Sequence, residues 1–135
     1  MKQCAVLVIN ISGTETLYRL PLEQVGFRVV ETGEWPGDEM IRAFEVVIML
    51  LRDMNNVAMM AARLRAKPYF GQRVLIAIAI DTSSIEDRRT LVGCGFDDVL
   101  NESHEPRLVI ARILRQLRAR PEHRCFLPDL KRRAA

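Results

Sequence analysis

The chain reads as an α/β domain of five strand–helix units, (βα)₅, a three-layer sandwich with a parallel sheet between two layers of helices. Three observations predict this. The runs Ala5–Asn10 (AVLVIN), Glu45–Leu51 (EVVIMLL) and Val74–Ile80 (VLIAIAI) are nearly continuous in apolar residues and too short for globular helices. They have the pattern of strands buried on both faces. Segments with helical spacing separate them, and consecutive parallel strands need crossovers that lay helices on both faces of the sheet.

In chain order, Ala5–Asn10 is the first strand. Thr14–Val25 follows with Leu17, Leu20, Leu22 and Val25 at roughly helical spacing and Gly26 as its stop. Pro21 must kink that helix or divide it into two short turns. Phe27–Glu31 (FRVVE) is a short second strand, Thr32–Gly37 (TGEWPG) is turn chemistry, and Asp38 can cap a short helix through Ala43. After the strand at 45–51, Asn55 or Asn56 can cap a helix through Lys67 with the stripe Val57, Met60, Ala61 and Leu64, ended by Pro68. Beyond the strand at 74–80, Ser83 with Glu86 or Ser84 with Asp87 opens a helix that stops near Cys94-Gly95. Phe96–Leu100 is the last strand. Pro106 suits the first turn of a final helix ending at Arg118. Its Leu108, Val109 or Ile110, Ile113, Leu114 and Leu117 cover the sheet. The first, third and fourth strands, the most apolar, belong in the centre.

A length of 135 residues suits one domain with a core that buries about two-thirds of the unfolded surface. No apolar run approaches the ~18–20 residues of a membrane span. The N-terminus lacks a signal-peptide cleavage pattern. Three scattered cysteines make no disulfide framework, so the expected location is the cytoplasm. The net charge of +3 divides unevenly. Residues 1–104 carry 11 basic and 14 acidic groups, and residues 105–135 carry 9 and 3. The expected organisation is a domain over residues 1–118 and a basic tail over 119–135, with Phe126 and Leu127 able to tack down its middle.

Asp87-Arg88 followed by Gly93-Cys94-Gly95-Phe96-Asp97-Asp98-Val99-Leu100 resembles the DR…AGADDYL segment of response-regulator receiver domains, the CheY-like family. The helix ending in Arg63-Leu64-Arg65-Ala66 resembles that family's third helix, and the resemblance spans roughly Cys4 to Leu117. It implies a flavodoxin-like fold with strand order 2-1-3-4-5 and a place in two-component signalling. It also implies where the family's chemistry should lie. The acidic pair that holds Mg²⁺ falls on Asn10 and Ile11. FEVVIML matches the family's YDLVLLD, so the phosphoacceptor aspartate falls on Leu50. The switch Ser or Thr falls on Ile80, with Ala79 one residue away. The phosphate-pairing lysine falls on Glu102, and the Pro after it is Ser103. Together these changes remove metal, nucleophile and counter-charge. The resemblance thus predicts a receiver that is not phosphorylated, has no catalytic activity, and needs neither metal nor cofactor. Asp53, three residues beyond Leu50, is the alternative phosphoacceptor, with Asp81 and Asn10 as its nearest candidate companions.

Other chemistry is poorly supported. Asn10-Ile11-Ser12-Gly13 lacks the glycines and lysine of a phosphate loop. His104 and His123 have only Cys125 at ligand spacing, and no nucleophile elbow accompanies Ser12 or Ser83. Lys131-Arg132-Arg133 permits weak nucleic-acid binding. One aromatic, Phe126, lies beyond residue 104, which leaves no stacking platform. Met49 and Met60 suit the core, Met54 and Met59 a partner surface, and Trp35 either a lid or an exposed anchor. In the resembled family the face formed by the fourth helix, fifth strand and fifth helix makes dimers or partner contacts. Here that face carries Arg88, Arg89, Asp97, Asp98, Arg112, Arg115 and Arg118. Both charge signs on adjoining elements suit a two-fold homodimer or a complex with another signalling protein.

Overall fold

A computed structural model describes residues 3–11, 18–51, 57–71, 73–79, 85–101 and 105–120. Ten elements alternate along it: β1 (Ala5–Ile9), α1 (Arg19–Gln24), β2 (Arg28–Thr32), α2 (Asp38–Arg42), β3 (Val46–Leu51), α3 (Val57–Arg65), β4 (Val74–Ala79), α4 (Ile85–Gly93), β5 (Asp98–Asn101) and α5 (Pro106–Arg118). The five strands form one parallel sheet in the order β2-β1-β3-β4-β5, with pairings such as Val8↔Ile48, Met49↔Ala77 and Ile78↔Leu100. The three most apolar strands are indeed the central ones.

Strand alternation divides the core in two. Val6, Val8, Val46, Ile48, Leu50, Ile76 and Ile78 pack against Leu22 of α1 and Val109, Ile113, Leu114 and Leu117 of α5. Leu7, Ile9, Val47, Met49, Leu75 and Ala77 pack against Ile41 of α2, Ala61 and Leu64 of α3, and Leu91 of α4. With both faces covered, a period-2 polar pattern has nowhere to appear, hence the continuous apolar runs. No described helix is long and apolar enough to cross a membrane.

Several boundaries depart from expectation for identifiable reasons. Pro21 lies in the first turn of α1, where its missing N–H has no intrahelical acceptor to lose, and Leu22 N–H donates to Tyr18 O at 3.1 Å. Leu22 is buried, whereas Leu20 is 65% exposed, because residues two apart on a helix face opposite ways. Residues 14–17 lie outside the described region. Gly37, not Asp38, is the N-cap of α2. The Asp38 carboxylate instead accepts from the Tyr69 hydroxyl at 3.0 Å and Lys67 Nζ at 3.4 Å. Met49 is buried, Met60 is half-buried, and Met59 is exposed. Met54 and the expected caps of α3 and α4 fall outside the described residues. Pro106 opens α5 as expected.

Candidate functional site

The C-terminal ends of parallel strands share one edge, where open α/β folds place their sites. Asn10 follows β1 there and is buried. Its backbone N–H donates to Thr32 O at 2.8 Å and its Nδ2 to Glu31 Oε1 at 2.9 Å, so the amide ties β1 to β2. Ile11 is 51% exposed. Leu50 pairs with Ile78 and is buried in the core layer beneath α1 and α5. Hard divalent cations take six or more oxygen ligands, including carboxylates. A leucine and an amide already bonded to Glu31 do not fit that requirement. No cluster of three His, Cys, Asp or Glu suited to a metal occurs among the described residues. Ile80, Glu102 and Asp53 lie outside the described residues.

The second candidate region lies at the sheet edge formed by α4, β5 and α5. Arg88 is half-buried and Arg89 exposed on α4. Arg112 Nη1 reaches Asp98 Oδ2 at 3.3 Å. Arg115 and Arg118 are exposed on α5, and Val92 of α4 is 55% exposed. The fold thus brings Asp98 and Arg112 together and leaves Arg89, Arg115 and Arg118 facing outward.

Asp97 is committed elsewhere. Its Oδ2 accepts from Arg65 Nη2 at 2.6 Å and from Leu75 N–H at 2.8 Å, and its Oδ1 from Arg120 Nη2 at 2.8 Å. Arg65 also donates through Nε to Gly95 O at 2.8 Å and through Nη1 to Arg73 O at 2.8 Å. Arg73 in turn caps carbonyls of Phe44 at 2.9 Å, Arg42 at 3.1 Å and Tyr69. These arginines close the N-terminal edge of the sheet, opposite the edge that carries Asn10 and Leu50. Sequence reasoning missed Arg65 and Arg120. No local sequence signal marked them; in the structure Gly95 takes φ +118° and lies where a Cβ would stand 2.7 Å from Arg65 Cγ.

Four protonation equilibria are displaced. Burial pushes the Cys4 thiol up to about 12, with a further upward contribution from the charge of Glu45. Burial also raises Cys94. The Tyr69 hydrogen bond, aided by Lys67, holds Asp38 below the usual carboxylate range. Tyr69 is raised by burial and by Asp38. None of these groups lies among the candidate site residues.

No protein-family model and no curated protein matches the chain. Solved structures do. An orphan response regulator of H. pylori aligns at 21% identity and TM-score 0.68, covering 84% of this chain and 96% of that one. A response regulator from Thermotoga maritima aligns at 14% identity and TM-score 0.72, covering 85% and 98%. The signal receiver domain of a signal transduction histidine kinase from Syntrophus aciditrophicus aligns at 18% identity and TM-score 0.67, covering 87% and 92%. With the observed strand order, these alignments establish that the chain has the CheY-like fold of response-regulator receiver domains.

Proposed function

We propose that this chain is a regulatory module that works in the cytoplasm by contact with a signalling protein, or with a second copy of itself, and does not accept phosphate. Leu50 carries the proposal. By resemblance it stands where receivers place the phosphoacceptor aspartate, and its side chain is packed into the apolar core. It has no oxygen nucleophile, and the neighbouring Asn10 amide is engaged with Glu31. Contact then falls to the α4–β5–α5 face, where Arg89, Arg115 and Arg118 are exposed beside the Asp98–Arg112 pair. The contact region excludes the Asp97 carboxylate, which is held by Arg65 and Arg120.

Two measurements test this. Incubation with a small phosphodonor and Mg²⁺ should leave the intact mass unchanged. An added phosphoryl group that Asp53→Asn abolishes would overturn the proposal in favour of Asp53. Association with histidine kinases, regulators and itself should weaken on Arg115→Glu/Arg118→Glu, with the fold retained. Binding indifferent to that change would remove the proposed face.

A further inference from the structure

Helix α5 carries four arginines and no acidic residue in its 13 positions, Pro106–Arg118. Val109, Ile113 and Leu117 mark the side that packs on the sheet. Arg112, Arg115 and Arg118 cross the opposite side at intervals of three residues, a rise of about 4.5 Å per step. The guanidinium groups of Arg115 and Arg118 are exposed and have no hydrogen-bond or ion-pair partner among the described residues. The exposed Ala111 and half-buried Leu108 lie on the same outer side.

The fold removes the acids that could balance this strip. Asp97 is held by Arg65 and Arg120, and Asp98 pairs with Arg112 itself. Glu105 reaches Arg107 at 3.5 Å, at the far end of the helix from Arg118.

We infer that the outer side of α5 receives an acidic helical segment of another protein, with carboxylates at three- or four-residue intervals. This rests on the contact reading above and selects between its two occupants. A second copy placed about a two-fold axis at this strip would set Arg115 and Arg118 against their own counterparts, so like charges would oppose one another. An acidic helix instead presents carboxylates at the same rise per step. Each arginine fork can then take a carboxylate through two hydrogen bonds. Ala111 lets the two backbones approach, and Leu108 offers apolar contact beside the charges. Nucleic acid fits less well. α5 has no aromatic side chain on which a base could stack. Residues 1–104 carry 11 basic against 14 acidic groups, which repel a long polyanion but not a short helix confined to the strip.

Fluorescence anisotropy on the full chain tests this with three probes: a short helical peptide bearing Glu along one face, the same peptide with Lys for Glu, and a DNA duplex. The Glu peptide should bind at least about tenfold more tightly than either of the others, and more weakly as salt is raised. Arg115→Glu/Arg118→Glu should abolish that preference, with an unchanged circular dichroism spectrum. Arg115→Lys/Arg118→Lys should weaken binding about threefold, because the charge persists and the planar fork is lost. Equal binding of the Glu and Lys peptides, or a Glu-peptide affinity unmoved by charge reversal, would overturn the inference. Tighter binding of the duplex would overturn it in favour of nucleic acid, and a dimer in sedimentation that charge reversal disperses would do so in favour of a second copy. Association with a kinase or regulator that is lost on charge reversal, without any preference for the Glu peptide, would remove the acidic helix and leave the contact reading standing.

Discussion

Gly95 shows how a single residue shapes the N-terminal end of the sheet. Its φ of +118° is disfavoured for any residue with a Cβ, and the space such an atom would need is filled by Arg65 Cγ. Gly95→Ala should therefore cost about 1–3 kcal/mol of stability from backbone strain, with a loosened Arg65 in addition. Urea unfolding measures this, and a midpoint equal to that of the parent would refute it. Cys4 gives a second residue-scale expectation. Its thiol ordinarily ionises near 9.0 but is pushed up to about 12 in the folded chain, so the folded state holds the proton more tightly. Its contribution to stability is complete below pH 9 and is lost as pH rises toward 12, at a limiting slope of about 1.4 kcal/mol per pH unit. The urea midpoint of the parent should fall faster between pH 9 and 10.5 than that of Cys4→Ala. Parallel declines would show that other groups dominate. That Leu50 and Asn10 carry no carboxylate was legible from their identities alone. The Asn10–Glu31 bond was not, because it joins residues 21 apart in sequence.

At the scale of elements, two adjacent aspartates have different structural roles. Asp98 faces Arg112 on α5, where the arginine is 38% exposed. Asp97 lies just before the strand and binds Arg65 from α3, Arg120 beyond α5 and the backbone of β4. The arginines of its two ion pairs are 22% and 11% exposed, and Asp97 is 18% exposed. Removing one member of a well-buried charged network leaves the others unpaired, whereas exposed pairs contribute ~0.2–1 kcal/mol. Asp97→Ala should cost about 3 kcal/mol and Asp98→Ala less than about 1 kcal/mol. A reversal of that order in denaturant unfolding would contradict the assignment. The apolar runs of β1, β3 and β4 were readable because two covered faces impose a single requirement on each strand. The start of α1 was harder to place. Pro21 fits a helix interior badly but a first turn well, and spacing alone does not say which turn it occupies.

Across the whole molecule, the two ends of the sheet differ in what closes them. The C-terminal edge, where related folds place their chemistry, carries an amide bonded to Glu31 and a core leucine. The N-terminal edge is closed by Arg65, Arg73 and Arg120 on backbone carbonyls and Asp97. The basic excess of residues 105–135 also divides between them. Arg115 and Arg118 face outward on α5, while Arg120 serves the domain from just beyond the expected boundary at 118. By itself, the sequence determined the (βα)₅ order, the central strands and, through resemblance, the 2-1-3-4-5 arrangement. Apolar burial is non-directional and sums over short windows, so local composition suffices to read it. Only the tertiary structure decided which carboxylate meets which arginine. Those contacts join segments 23 and 32 residues apart, and their geometry exists only once the sheet and its helices have assembled.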